Sequence, residues 1–214
     1  ILDGGDLVIP VVHEIVPVSL QTMRLDVDRS GHDALITGDN LRADVADAGF
    51  HTLSLQMPIL EADAPLGAYG KTFPEAFERI DAGIQYLKQK GVQRVLLIGH
   101  SSGAMTAVAY VARYPQAPVT GVVAIGLSTI PNGPDSMQPA IMLKSVRVPV
   151  LDIYGANDLR EVLSYSEARR TAAQAAGNNG YSAVRVADAN HFFTDQYETL
   201  KKHILDWLCR NAGP

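Results

Sequence analysis

A serine between two glycines stands where an apolar stretch of this chain ends. Residues 99–103 read Gly-His-Ser-Ser-Gly, a G-x-S-x-G pattern centred on Ser101. In a sharp turn the positions two before and two after the serine come close together, which requires glycine at Gly99 and Gly103. The pattern predicts that Ser101 is a nucleophile raised above the end of a strand. A tight strand-to-helix turn without chemistry is the other interpretation.

The residues beside Ser101 belong to the same turn. A helix is predicted to begin just after it, and the amide groups at a helix N-terminus favour developing negative charge. The backbone N–H of Ser102 is therefore the candidate for one oxyanion-hole donor. His100 is part of the turn and is expected to point away from the nucleophile. No G-K-[ST] follows, which argues against a phosphate-binding loop.

A serine hydroxyl is a poor nucleophile without a base, and the chain has six histidines. His191 follows a predicted strand and precedes the last predicted helix, which places it in a loop at the carboxyl edge of a sheet. It also completes the chain order Ser…Asp…His. We therefore predict that His191 is the base; an ordinary surface-loop residue is the alternative.

The acid is expected just after one of the strands that lie between nucleophile and base. Asp152 falls within the apolar stretch 148–155, which favours a structural role. Asp158 comes just past the end of that stretch, where a carboxylate can reach an imidazole. Its alternative role is to cap a helix predicted at 159–177. Asp188, three residues before the predicted base, is the other candidate for orienting the imidazole.

Apolar runs and helical periodicity alternate along the chain and predict the elements that position these residues. Alternation of strands and helices, with apolar strands, predicts an α/β fold: a mostly parallel sheet with helices on both faces, as one domain over residues 1–214. Ligands bind such sheets at the carboxyl ends of the strands. The predicted strands are 50–59, 92–99, 118–127, 148–155 and 181–188, and the predicted helices 41–49, 72–91, 102–115, 159–177 and 194–210.

Composition excludes several classes of function. The 214 residues have a net charge of −5 and no cluster of Lys and Arg that would indicate nucleic-acid binding. Cys209 is the single cysteine, so an internal disulfide is impossible. No spacing of histidines and carboxylates suggests a metal site, nothing suggests an organic cofactor, and no apolar run approaches the ~18 residues of a membrane span. No signal peptide is visible, and the chain begins with Ile1, so we expect that a leader was removed or the chain trimmed.

Three segments resemble the nucleophile, acid and histidine segments of the α/β-hydrolase superfamily: LLIGHSSGAMTAV, PVLDIYGANDL and ADANHFF. The segment GFHTLSLQMPIL resembles an uncharacterised bacterial family of small α/β-hydrolase-like proteins, several with exported precursors. The resemblance covers residues 38–210. It implies acyl transfer on small esters or thioesters by a carboxylesterase or thioesterase type of serine hydrolase. A periplasmic or secreted location is implied, a cytoplasmic one stays open, and the oligomeric state is not predicted.

The N-terminal fifth departs from the superfamily pattern. The superfamily usually has a strand that ends in His-Gly and supplies the second oxyanion donor, whereas this chain offers only Gly31 and His32. The stretch 7–20 contains Pro10 and Pro17, which suit edge strands. Losing one oxyanion donor typically costs ~10²–10³ in rate. A non-catalytic binding protein on the same scaffold is therefore the alternative function.

The point where relatives insert a cap domain is short in this chain. Residues 128–147 are too few to bury a core of their own, so we expect no large cap domain. The segment is interpreted either as a flap whose methionines line one wall of an open cleft, or as a crossover helix at 136–145 packed on the sheet.

Overall fold

Six strands form one sheet in the part of the chain that the structure describes. The computed structural model describes residues 7–11, 38–61 and 64–211. The strands are β1 (Leu7–Val11), β2 (His51–Thr52), β3 (Val95–His100), β4 (Val119–Ile125), β5 (Val150–Asn157) and β6 (Tyr181–Asn190). They lie side by side in the order β2-β1-β3-β4-β5-β6, and every neighbouring pair is parallel.

Helices alternate with these strands along the chain. The helices form where apolar residues recur three or four positions apart and so share one face. Ile80, Ile84 and Leu87 are such residues, and all three are buried. The helices are α1 (Gly38–Asp47), α2 (Phe73–Gln89), α3 (Ser102–Arg113), α4 (Pro139–Met142), α5 (Arg160–Leu163), α6 (Ser166–Ala175) and α7 (Tyr197–Asn211), with short 3₁₀ helices at Leu66–Thr72 and Asp135–Met137.

The two faces of the sheet belong to separate hydrophobic clusters. Successive residues of a strand point to opposite faces. Leu97 of β3 therefore packs in a cluster with residues of α2, α3 and α6, whereas Leu96 and Ile98 pack in a cluster with residues of α1 and α7. The predicted α/β fold, a parallel sheet with helices on both faces, is confirmed.

The strand predicted at 50–59 is wrong beyond its first residues. β2 pairs with β1 only at His51 and Thr52. The apolar residues that follow lie in an irregular segment, from which Leu55 and Met57 pack against the core. Burial alternates along this segment as it would in a strand, but no described strand pairs with it beyond Thr52.

The helix predicted at 159–177 is also interrupted. It consists of α5 and α6, separated at Ser164 and Tyr165. The hydroxyl of Ser166 donates a hydrogen bond to the carbonyl of Leu163 at 2.9 Å. Such side-chain bonds to the backbone compete with helical hydrogen bonds.

β1 lies beside β3 and pairs with it along its whole length. Pro10 lies past the two residues that pair with β2, so among the described residues β1 is an edge at that point and the missing N–H of proline is tolerated. Pro17, Gly31 and His32 lie outside the described residues. The second oxyanion donor therefore stays a prediction.

The segment between β4 and β5 packs against helices and contains no cap domain, as predicted. It contacts α3 and α6 through α4. Met137 and Met142 are 1% and 6% exposed, so a wall of methionines facing a cleft is wrong. A continuous crossover helix over 136–145 is wrong as well, because α4 has only four residues.

Asp152 of β5 lies in a buried ion pair with Arg169 of α6. Arg169 donates from Nε to Oδ2 at 2.7 Å and from Nη2 to Oδ1 at 3.3 Å, and both side chains are 0% exposed. Tyr181 of β6 donates its hydroxyl to the same carboxylate at 2.5 Å. Arg169 also donates to the carbonyl of Val162 in α5. These contacts give Asp152 a structural role.

Replacing Asp152 by asparagine is expected to lower the free energy of unfolding by about 3–5 kcal/mol, because it leaves the buried guanidinium of Arg169 without a countercharge. Chemical denaturation measures the change. The control is Glu167→Gln, which removes an exposed ion pair with Arg170 at 3.8 Å and should change stability by less than about 1 kcal/mol. Equal losses in the two variants would show that the buried pair contributes no more than the exposed one.

Candidate active site

Ser101 stands at a sharp turn between β3 and α3. Its backbone angles, φ 53° and ψ −117°, lie in a region that residues other than glycine rarely adopt. Its N–H donates to the carbonyl of Ile125 in β4 at 2.8 Å. A Cβ at Gly99 would lie 2.4 Å from the carbonyl carbon of Gly103 and 2.6 Å from the nitrogen of Ala104. The turn therefore closes only with glycine at position 99.

Three residues singled out in the sequence come together at the carboxyl edge of the sheet. His191 Nε2 lies 3.0 Å from Ser101 Oγ, and His191 Nδ1 lies 2.6 Å from Asp158 Oδ1. Because an ionised carboxylate only accepts hydrogen bonds, Nδ1 carries the hydrogen and Nε2 can accept one from the hydroxyl. His191 and Asp158 are buried, while Ser101 is partly exposed. The arrangement can pass a proton from Ser101 to His191.

Asp158 is held as an ionised acceptor by its surroundings. Its Oδ1 also accepts the N–H of Leu159 at 2.8 Å, and its Oδ2 accepts the N–H of Gly155 at 3.0 Å. Burial alone would raise the pKa of Asp158. The hydrogen bond and charge of His191, together with the two backbone N–H groups, outweigh burial and hold that pKa below its ordinary value.

The segment that contains His191 is fixed by its neighbours. β6 ends at Asn190, whose side-chain oxygen accepts the N–H groups of Phe192 and Thr194 at 3.0 and 3.1 Å. Phe193 is fully buried in the core although its φ is 52°. A buried aromatic residue in this conformation is rare and persists only when packing holds it. His191 therefore lies in a turn whose backbone is held by the side chain of Asn190 and by the packing of Phe193.

Two positions have glycine because a side chain there would overlap with His191 or with the segment before it. A Cβ at Gly126, just after β4, would lie 2.9 Å from both Cε1 and Nδ1 of His191. A Cβ at Gly155 in β5 would lie 2.2 Å from the carbonyl oxygen of Ala189. Side chains at either position would displace the imidazole or the segment before it.

Gly126→Ala is expected to lower kcat by at least tenfold, because the new methyl group pushes the imidazole away from Ser101 and small displacements of reacting groups are costly. Initial rates on a short-chain p-nitrophenyl ester measure the loss. Gly126 also has a φ of +58°, so backbone strain needs a control. Gly177→Ala supplies it: its φ is +71° and nothing lies within 4 Å of its Cβ. Equal kcat in both variants would contradict the expected clash with His191.

His100, which was expected to point away from the nucleophile, contacts the segment that contains His191. Its Nε2 donates to the carbonyl of His191 at 2.8 Å, and the two rings lie 4.7 Å apart between centroids. Burial, followed by the charge of His191, lowers the pKa of His100 from 6.5 to about 4; the hydrogen bond to the carbonyl and the charge of Asp158 act in the opposite direction. His100 is therefore neutral at neutral pH.

This depressed pKa makes folding sensitive to acid. Between pH 6.5 and about 4 the unfolded chain binds a proton at His100 that the folded protein excludes, so stability falls as the pH falls. The loss is roughly 3 kcal/mol over that interval. Urea denaturation from pH 7 to pH 4 measures it, and His100→Gln should show a smaller loss by about that amount. Identical pH dependence in the two proteins would contradict the burial of a neutral His100.

Ser102 and Asp188, the other two candidates from the sequence that the structure describes, lie in different parts of the fold. Ser102 is the first residue of α3, and its backbone N–H stays the candidate oxyanion donor. Asp188 is exposed at the outer part of β6 and has a φ of 59°, while Asp158 holds Nδ1 of His191. The structure therefore brings Asp158, and not Asp188, to the imidazole.

Sequence reasoning missed the supporting contacts of three residues, Gly126, Asn190 and His100. Gly126 ends an apolar run, which signals a turn but not the contact with His191. Asn190 directly precedes His191, and asparagine before a turn signals capping of backbone N–H groups. The hydrogen bond from His100 to the carbonyl of His191 joins residues 91 positions apart, which no local pattern indicates.

The described residues hold no group of three or more His, Cys, Asp and Glu side chains that could bind a metal ion. Within that same part of the chain, none of the helices is long and apolar enough to cross a membrane.

A cavity of about 350 Å³ lies where α3 ends, lined by Tyr110, Tyr114 and the residues up to Pro118. None of its lining residues belongs to the Ser101 site.

Comparison with protein families identifies the chain. The model of a family described as "Protein of unknown function (DUF3530)" matches residues 68–210, a region that contains Ser101, Asp158 and His191. The chain belongs to this family. A flotillin family inner membrane protein of Escherichia coli K12, YqiK, is 46% identical over 50 residues, which are 23% of this chain. The chain spans only 9% of the length of that curated relative.

Solved structures show that this member of the family has the α/β-hydrolase fold, as the sequence resemblance implied. A candidate dienelactone hydrolase of Klebsiella pneumoniae has a TM-score of 0.71 at 18% identity, over 98% of this chain and 89% of the other. Est1E from Butyrivibrio proteoclasticus has 0.68 at 13% identity, over 99% and 90%. The monoacylglycerol lipase of Paleococcus ferrophilus has 0.65 at 16% identity, over 97% and 96%.

Proposed function

We propose that this protein is a serine hydrolase of the carboxylesterase or thioesterase type, acting through Ser101, His191 and Asp158. One observation supports the proposal above all others: the imidazole of His191 lies between the serine hydroxyl, at 3.0 Å, and the carboxylate, at 2.6 Å. Nucleophile, base and orienting acid in this geometry are what acyl transfer requires.

In the first half of the reaction, Ser101 Oγ attacks the carbonyl carbon of the ester or thioester while His191 Nε2 takes the hydroxyl proton. Asp158, ionised at neutral pH, stabilises the imidazolium that forms. His191 then gives the proton to the departing alcohol or thiol as the carbon–oxygen or carbon–sulfur bond breaks. The acyl group remains on Ser101 as an ester.

In the second half, water attacks the acyl-enzyme while His191 accepts one of its protons. Collapse of the tetrahedral intermediate returns that proton to Ser101 Oγ and releases the carboxylic acid. The oxyanion of both intermediates is proposed to bind the backbone N–H of Ser102 at the start of α3. Gly31 and His32 stay the candidates for the second donor.

The substrate is proposed to be a small molecule with an ester or thioester bond. Among proteins of this fold are a monoacylglycerol lipase and an esterase, which supports ester chemistry. Leu159 directly follows the acid and is 44% exposed, and Ile130 on the segment after β4 is half-buried. We propose that these apolar side chains contact the acyl chain.

A non-catalytic binding protein on the same scaffold was the alternative function. Two features favour catalysis over it. The backbone of Ser101 is strained, and strain of this kind costs of order 1–3 kcal/mol and clusters at active sites. Two backbone N–H groups align the buried Asp158, and its carboxylate accepts a third hydrogen bond from the imidazole, an arrangement that a binding surface does not need.

The proposal is tested with matched esters and thioesters of the same acyl groups, from acetyl to dodecanoyl. We expect turnover of at least one series by the wild-type protein, with a preference for one chain length. Ser145→Ala, which changes an exposed serine, is the matched control for Ser101→Ala. Absence of turnover above the uncatalysed rate across both series would overturn the proposal.

A further inference from the structure

We propose that His100 is a positioning residue for the catalytic histidine, joining the turn that holds Ser101 to the segment that holds His191. The inference rests on the proposed function and adds to it a residue outside the three that are proposed to carry the reaction. It assigns the residue before the nucleophile a part in catalysis through the backbone of the base.

The contact that supports this role is direct and buried. His100 Nε2 lies 2.8 Å from the carbonyl oxygen of His191, and His100 is 5% exposed. Its ring also lies 4.7 Å from the imidazole of His191 and 6.0 Å from the ring of Phe192. The hydrogen bond therefore ties the nucleophile turn to the backbone of the base itself.

The chemistry of the two groups fixes the direction of this bond. A carbonyl oxygen only accepts, so Nε2 of His100 must carry the hydrogen. The ring is neutral at neutral pH, which keeps a second positive charge away from the imidazolium of His191. The ionisable groups that face His100 are His191 and Asp158.

The histidine segment needs such support because its backbone is strained. Asp188, Phe193 and Asp195 all have φ values between 52° and 59°, although none is glycine. Residues held in this region depend on surrounding contacts. The side chain of Asn190 holds the segment from within, and His100 holds it from the turn that also contains the nucleophile. This hydrogen bond joins the residue before the nucleophile to the backbone of the base, and so helps to set the distance between His191 and Ser101.

The test compares His100→Gln with His100→Met, two side chains of similar length and shape. Glutamine keeps an N–H donor and methionine does not. We expect His100→Met to lower kcat by about 10- to 100-fold with KM changed less than about twofold, and His100→Gln to stay within about threefold of wild type, because displacement of a reacting group reduces rate rather than binding. Equal kcat in both variants, whether high or low, would overturn the proposal.

A second readout does not depend on turnover. The hydrogen between His191 Nδ1 and Asp158 Oδ1, at 2.6 Å between heavy atoms, should give a low-field proton resonance in NMR spectra. We expect this resonance in wild type and His100→Gln, and its loss or broadening in His100→Met. Retention of the same resonance in His100→Met would overturn the positioning role. If the wild-type protein hydrolyses nothing, the proposed function fails, while this comparison still decides the role of His100.

Discussion

Replacing Ser101 by alanine is expected to lower kcat on a short-chain p-nitrophenyl ester by roughly 10⁶-fold, close to the rate without a nucleophile. The hydroxyl is the group that His191 Nε2 faces at 3.0 Å, and alanine leaves the base without a proton to accept. Initial rates at saturating substrate measure the change. KM is expected to move little, because the substitution removes an interaction of the transition state.

The thermal stability of Ser101→Ala shows whether its loss of activity could come from unfolding. Alanine adopts a φ of 53° no more easily than serine, so the thermal midpoint should stay within a few degrees of wild type. Ser145→Ala should retain wild-type kcat. Wild-type activity in Ser101→Ala would place the nucleophile elsewhere in the chain.

Asp158→Asn is expected to lower kcat by about 10⁴-fold without unfolding the protein. The amide has the shape of the carboxylate, but its NH₂ group cannot accept a hydrogen bond from Nδ1 of His191. The imidazole then favours the tautomer with hydrogen on Nε2, which cannot accept the proton of Ser101. Rates on the same ester, measured from pH 6 to 9, test this directly.

Asp188→Asn is the matched control for this substitution. Asp188 lies on the same histidine segment, is exposed, and has a left-handed backbone that asparagine tolerates well. We expect its kcat to stay within twofold of wild type. A larger loss in Asp188→Asn than in Asp158→Asn would make Asp188 the residue that orients the imidazole.

The fold could be predicted because its signals are local. Apolar runs of β-branched residues end at glycine or polar residues, and they fall between amphipathic helices, so β3 to β6 and α2, α3 and α7 are close to their predicted positions. The same local reasoning failed where tertiary contacts decide. The stretch 50–59 alternates like a strand, yet β1 pairs with only two of its residues.

The candidate site was predictable to the extent that chain order reflects the sheet. Parallel strands bring their carboxyl ends to one edge, so residues just past the ends of β3, β5 and β6 had to meet there. That argument selects Asp158 over Asp152, which lies inside its strand. The order of the strands does not predict the ion pair between Asp152 and the buried Arg169, because that pair depends on how α6 packs against the sheet.

The groups that fix the geometry of His191 could not be predicted for the same reason. Gly126 and His100 act across the sheet, and their contacts appear only once β3, β4, β5 and β6 lie side by side in that order. Glycine at a strand end and histidine beside a serine are each compatible with many local structures. The role of His100 follows from the 2.8 Å between its Nε2 and the carbonyl of His191, and that of Gly126 from the 2.9 Å at which an added Cβ would meet the imidazole. No sequence spacing encodes either distance.

The central claim, that Ser101 is an activated nucleophile, is tested most directly by covalent labelling. The native protein is incubated with a fluorophosphonate, and the adduct is located by intact-protein mass spectrometry and peptide mapping. We predict one adduct, on Ser101 and not on Ser102, that is absent from Ser101→Ala and formed far more slowly in Asp158→Asn. An adduct on another residue, or undiminished labelling of Ser101→Ala, would contradict the account.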